Sequence, residues 1–193
     1  MPRIAVVFHS EFGHTRVIAE AIAKGASAVE GVECALISVD DLPPPVNREL
    51  PAQWDALHEA DAIVLGCPTY MGSVSAKFKL FMEASGAAWG AQRWRDKLAA
   101  GFTNAGSLSG DKINCLIDIA MFAAQHSMIW VSQGLFYDDQ GINRMGSWLG
   151  MQAQSDNAPP EVTPPPEDRR TAELFGERVA HATVRWVRGA SGN

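Results

Sequence analysis

The chain is expected to fold as an α/β protein, with five parallel strands in one sheet and helices on both faces. Five short apolar runs rich in Ile, Val, Leu and Phe recur along its 193 residues, bounded by polar or glycine-containing loops. Between them lie segments whose apolar residues repeat at helical steps. Strands that alternate with helices are joined by crossovers, which is what a parallel sheet requires.

Ile4-Ala5-Val6-Val7-Phe8 is the first strand, halted by His9-Ser10-Glu11-Phe12-Gly13-His14-Thr15. Ile18, Ile22, Gly25 and Val29 then fall on one stripe of a helix. Cys34 to Val39 is the second strand, ended by Asp40-Asp41. The triplet Pro43-Pro44-Pro45 fits neither a helix nor an inner strand and forms a surface connection. Pro51 suits the first turn of a short helix carrying Trp54 and Leu57. The third strand, Ala62 to Cys67, leads into a second loop, Pro68 to Ser75. Ser75 is a candidate N-cap for a helix with Phe78, Phe81, Met82 and Ser85 on one face.

Leu98 to Thr103 is the fourth strand and Asn104 to Gly110 a third loop, followed by a helix with Ile113, Ile117 and Ala120. Met128 to Val131 is the fifth strand. From Gly134 to Pro166 the chain is rich in Gly and Pro, and Ser147-Trp148-Leu149-Gly150-Met151 is expected to be a strand fragment extending the sheet edge. Glu167 to Val187 is a terminal helix with Phe175, Val179, Ala182 and Trp186 on one stripe. Residues 1–189 read as one domain and Ala190 to Asn193 as a frayed tail.

A hydrophobic fraction of 47% is enough to fill one core at this length. The charge of −6, from 16 basic and 22 acidic residues without a basic run, argues against a nucleic-acid surface. Cys34, Cys67 and Cys115 are odd in number and far apart, so neither a disulfide framework nor a metal site is expected. The first apolar run is too short for a signal-peptide core and no segment reaches the length of a membrane span. A soluble, cytoplasmic protein is the resulting expectation.

A loop that feeds a helix N-terminus presents unpaired backbone N–H groups and the positive end of the helix dipole, and so binds an anion without Lys or Arg. Ser10 and Thr15 add hydroxyls and Gly13 lets the backbone approach a ligand, although both hydroxyls also suit plain helix capping. The loops after strands one, three and four open at one edge of the sheet, where ligands of such folds sit, and this convergence favours binding. A Gly-x-Gly-x-x-Gly fingerprint and a Gly-Lys-Ser/Thr loop are both missing after strand one. Carboxylates are lacking at Phe8-His9-Ser10, and no Gly-x-Ser-x-Gly elbow occurs. A lysine-free phosphate loop, with two further loops offering backbone donors and aromatics to a flat ring, suits flavin mononucleotide (FMN).

Ser10-Glu11-Phe12-Gly13-His14-Thr15 together with Pro68-Thr69-Tyr70-Met71-Gly72-Ser73-Val74-Ser75 resembles the WrbA family of flavodoxin-like NAD(P)H:quinone oxidoreductases. The resemblance runs from Arg3 to the terminal helix, and it implies a flavodoxin-like three-layer sandwich with strand order 2-1-3-4-5. It also implies that residues Ser10, Glu11, Phe12, Gly13, His14 and Thr15 hold the FMN phosphate. Pro68, Thr69, Tyr70, Met71 and Gly72 would line the ring, with Asn104, Ala105, Gly106, Ser107 and Ser109 closing its other edge. Phe12 matches an aromatic beside the nicotinamide nucleotide and Trp89 one that walls the substrate pocket. Read from the residues alone, Phe12 could instead pack on a neighbouring subunit, Trp89 could be core, and His14 could orient the loop.

The chain departs from the family in its third loop, which is poorer in Gly and Thr, and where His-His-Gly-Met becomes Gln125-His126-Ser127-Met128. The family's flavin-side His falls on Gln125, or on His126 if the register shifts by one. The resemblance implies NADPH or NADH as donor, a quinone or similar small acceptor, and no catalytic side chain beyond the flavin site. It further implies a homo-oligomer, dimer or tetramer, whose sites include neighbouring subunits; Trp94, Trp130 and Trp148 suit either interfaces or core. A flavodoxin-type electron carrier and a cofactor-free binding or regulatory protein are the rival readings.

Overall fold

The computed structural model describes residues 1–190. Five positions make up the parallel sheet: β2 (Glu33–Ser38), β1 (Arg3–Phe8), β3 (Ala62–Tyr70), β5 (Leu98–Ala105), and a last position shared by β6 (Ile129–Trp130) and β7 (Met151–Gln154). Counted as five, this is the expected order 2-1-3-4-5; the remaining strand, β4 (Ser73–Val74), folds back antiparallel on β3.

The last position departs from expectation. β6 pairs with Leu98 and Ala99 at the start of β5, whereas β7 pairs with Phe102 to Ala105 at its end. The segment between leaves the sheet and returns, so the fifth strand is split. Ser147-Trp148-Leu149-Gly150, expected as an edge fragment, is irregular; only Met151 of that run enters a strand. Gly150 packs against the Gly101 carbonyl, where a Cβ would lie 2.4 Å from the oxygen. From there Met151 and Ala153 point into the core while Gln152 and Gln154 are half-buried, the period-two alternation of a strand covered on one face.

Alternation along the strands sorts the core into two layers. Ile4, Val6 and Phe8 join Val64, Phe102 and Met151 under α1 (His14–Ser27) and α6 (Pro166–Ala190). Ala5, Val7, Ile63 and Leu65 face Trp54, Phe78, Phe81, Trp94 and Phe122, which come largely from α3 (Ala76–Ala84), α5 (Lys112–Gln125) and the turns before them. Two further short helices, α2 (Asp55–Glu59) and α4 (Gly86–Gly90), complete the second layer. None of the described helices is long and apolar enough to cross a membrane.

Of its two readings, interface or core, Trp94 takes the second: it is fully buried, stacked near Phe81 and His126. On α5 the inward face is Cys115, Leu116, Ile119, Phe122 and Ala123, which leaves Ile113 and Ile117 outside. The helix begins at Lys112, whose buried side chain turns that face inward. Finally, α6 continues through Ala190, the first residue of the expected frayed tail; the other three residues of that tail lie outside the described residues.

Candidate functional site

The carboxyl ends of β1, β3, β5 and β7 surround an open cleft of about 510 Å³. Its walls are Ser10, Glu11, Phe12, His14 and Thr15, then Pro68 to Tyr70, Asn104 to Gly106, and the segment from Ser155 to Pro160; Gly13 shapes the first wall without lining it. No lysine or arginine lines it among the described residues.

The first wall is built by one glycine. Gly13 is the N-cap of α1 at φ +91°, a left-handed conformation that costs other residues strain, and an added Cβ would also crowd Pro160 at 3.0 Å. Arg16 N–H donates to Ser10 Oγ at 3.1 Å and Val17 N–H to the Gly13 carbonyl. Ser10 is thus a cap, yet its own O–H stays free to donate outward. The backbone N–H groups of residues 11–15 bond to no described residue. Several free donors at a helix N-terminus suit a phosphate dianion without a basic side chain.

Glu11 would oppose an anion there, but its carboxylate is drawn sideways, 3.4 Å from Lys77 Nζ and 3.3 Å from His9 Nε2. Lys77 also meets Asp40 at 3.2 Å, and these carboxylates raise its pKa. Burial lowers the His9 pKa despite Asp40 and Glu11, and its Nδ1 lies 2.8 Å from Ser75 Oγ. Ser75 therefore holds the N-cap position of α3 without capping through its side chain, because its hydroxyl is turned to His9.

Across the cleft, Thr103 Oγ1 donates to the Cys67 carbonyl at 2.7 Å, so Thr69 donates to Thr103 at 2.8 Å. Asn104 Nδ2 donates to Ser155 Oγ, which leaves Asn104 Oδ1 buried without a partner. An orphaned acceptor in this wall is complementary to the imide N–H of a flavin-type ring, so the residues present fit FMN at both ends. The fourth wall is tied down by His14, whose Nε2–H donates to the Ala158 carbonyl at 2.8 Å, and by Arg169, which donates to the carbonyls of Pro160, Glu161 and Pro164.

Not every candidate reaches the cleft. Met71 and Gly72 are the central pair of the β3–β4 hairpin, both at positive φ (49° and 77°), as a tight type I′ turn demands, and Met71 is fully exposed. Pro68 to Tyr70, expected in a loop, belong to β3. Ser107 and Ser109 are exposed beyond the wall, where the third loop turns towards α5. Trp89 and Gln125 line a separate groove of about 420 Å³ with Met82, Met121 and Phe122. His126, at the floor of that groove, is sealed in the core and does not reach the cleft.

Residues 155–160 escaped the sequence reading. The period-two stretch Met151-Gln152-Ala153-Gln154 followed by Ser155-Asp156-Asn157 marks a strand and its carboxyl-end loop, but the stronger apolar run just before it draws the eye to the wrong register. The buried Lys112 behind the third loop carries no motif signal at all.

The sequence profile described as NADPH-dependent FMN reductase matches residues 2–142. Flavodoxin FldP of Pseudomonas aeruginosa is 38% identical over 187 residues, covering 93% of this chain and 96% of its own. An NAD(P)H dehydrogenase (quinone) of Archaeoglobus fulgidus is 32% identical with the same coverage of both chains. Among solved structures, the flavodoxin, WrbA-like protein from Agrobacterium tumefaciens superposes with a TM-score of 0.73 at 36% identity, covering 96% of this chain and 99% of its own.

Proposed function

The chain belongs to the NADPH-dependent FMN reductase family, with a WrbA-like flavodoxin fold, and on that premise we propose that it is an NAD(P)H:quinone oxidoreductase working through FMN in the cleft. The carrying observation is the cleft mouth itself, where Phe12 and Tyr70 are both exposed lining residues beside a lysine-free phosphate loop. Flat rings at an open mouth suit two flat reactants taken in turn, a nicotinamide and then a quinone or similar acceptor.

Bound FMN would accept an electron pair from the nicotinamide and release it to the acceptor. The protein's part is to bind and orient. Free N–H groups of residues 11–15 and the Ser10 hydroxyl hold the phosphate end; Asn104 Oδ1 and the Thr69 and Ser155 side of the wall fix the ring. No side chain is needed as general acid or base. The relative named NAD(P)H dehydrogenase (quinone) supports this reading.

A homo-oligomer belongs to the same proposal. Ile113, Ile117 and Met121 form an apolar stripe on α5 that is 47–59% exposed, next to the groove holding Trp89 and Gln125. A second copy covering this stripe would bury it and bring those two residues near a neighbour's cleft.

A flavodoxin-type electron carrier is the second reading, favoured by the relative named Flavodoxin FldP. Steady-state kinetics of the FMN-loaded protein with NADPH or NADH and a soluble benzoquinone separate the two. Turnover with parallel double-reciprocal lines supports a shared site used in succession. Retained FMN with no nicotinamide-dependent turnover overturns the reductase and leaves the carrier.

A further inference from the structure

Lys112 is a buried cation in an unusual place. It is the first residue of α5, where the helix dipole disfavours a cation, and its side chain is fully buried. Its Nζ donates to the Ala153 carbonyl at 2.9 Å and the Ser107 carbonyl at 3.3 Å, with Met145 Sδ at 3.4 Å. Among the described residues, no carboxylate touches it. The nearest acidic group in its field, Asp168 of α6, is already taken by Arg144 Nε and Nη2 at 2.6 and 2.8 Å and by Gln154 N–H at 2.9 Å.

The two carbonyls that Lys112 holds flank the cleft wall. Ser107 follows the lining residues Asn104 to Gly106, and Ala153 lies two residues before the lining residue Ser155. The same wall is closed by Gln154 Nε2 donating to the Gly106 carbonyl at 2.8 Å and by Ser155 N–H donating to the Ala105 carbonyl at 3.0 Å. A buried cation with no ion-pair partner among the described residues thus stands behind the wall that carries the orphaned Asn104 acceptor.

We infer that Lys112 is a positioning residue whose uncompensated charge makes the cleft prefer the more negative, reduced form of a bound flavin over the oxidised form. The inference rests on the FMN reading of the cleft. A cation behind a low-dielectric wall acts across it with little screening, and reduction by two electrons and one proton adds one negative charge to the ring. Burial pulls the Lys112 pKa down to about 8, with Asp168 raising it and Arg144 lowering it, so the charge is present at pH 7 and gone by pH 9.5. On the other side of the cleft Lys77 and Tyr70 are held above their ordinary values and His9 below its own, so none of these three titrates in that window; Cys115, also on α5, is drawn below its ordinary value by the Cys67 thiol 3.7 Å away and does, but it is common to the wild type and a Lys112 variant.

The test is the ratio of dissociation constants for oxidised and reduced FMN, from fluorescence titration of the apoprotein and the midpoint potential of the loaded protein. Lys112→Met is expected to lower that ratio about tenfold at pH 7 and to match the wild type at pH 9.5. A purely structural tether would weaken both forms alike and leave the ratio unchanged, which would overturn the inference. If Lys112→Met does not fold, Cys115→Ser, which removes the other group that titrates in the window, decides: relative to free FMN, its ratio must fall around pH 8, and a flat profile from pH 7 to 9.5 overturns the inference. Should the wild type bind no FMN, the cofactor reading of the cleft fails and takes this inference with it; tight binding with an unchanged ratio removes the inference only.

Discussion

His126 is sealed between Trp94 and Phe122, at ring distances of 4.3 and 4.8 Å. Ser85 Oγ spends its hydrogen on the Met82 carbonyl, so His126 Nε2–H must donate to Ser85, and Nδ1 is left buried and bare. Protonation there would put a charge in an apolar pocket, and burial holds the pKa down to about 4. The folded value is below the unfolded one of about 6.5, so the unfolded state binds the extra proton first and stability falls as pH drops from about 6.5 towards 4. The full contribution is on the order of 3 kcal/mol. Urea unfolding at pH 7 and pH 4.5 should show most of that loss in the wild type and a much smaller one in His126→Phe; equal losses would contradict the buried-base account. At this scale the sequence is legible where a residue type has one use: Gly13 before a helix and the hydroxyl of Ser10 announce themselves. It is silent where the role depends on a distant partner, as for Asn104 with Ser155 or Lys112 with Ala153, because nothing local marks which polar group will be orphaned or buried.

Helices α1 and α6 cross at two glycines. An added Cβ on Gly25 would lie 1.9 Å from the Glu173 carbonyl oxygen, and one on Gly176 2.0 Å from the Ile22 carbonyl oxygen. These obstacles are backbone, so no rotamer change relieves them and the helices must separate. Gly176→Val is expected to cost about 3 kcal/mol or more, read as a lower thermal midpoint, with α1 and its phosphate loop displaced together. An unchanged midpoint would show that the crossing is loose. Strands β1, β3 and β5 were readable because they are covered on both faces and form unbroken apolar runs. Of the split fifth strand, the first half was readable within Met128 to Val131, whereas the second half, Met151–Gln154, is short and half-covered and was not. The buried face of α5 is not legible for a related reason: Ile113 and Ile117 are as apolar as its buried residues, and periodicity alone cannot tell a core stripe from an exposed one.

For the molecule as a whole, the parallel sheet aims four strand ends and the N-terminus of α1 into one cleft, while α5 leaves exposed the apolar stripe on which the proposed assembly rests. Ile117→Glu places a charge in the middle of that stripe and should shift the sedimentation profile towards monomer; a wild type that is itself monomeric at micromolar concentration would contradict the proposed assembly. The fold and the first loop were legible because both follow from local pattern. The fourth wall and the separation of Trp89 from the cleft follow from how the chain closes, which no local pattern records. The most direct test of the account is a single turnover without oxygen. FMN-loaded protein freed of excess flavin is mixed with NADPH, and separately with NADH, while the visible flavin absorption is followed. Rapid bleaching of the bound flavin, reversed by a benzoquinone, is the predicted result. Flavin that stays bound and oxidised with both nucleotides would contradict it.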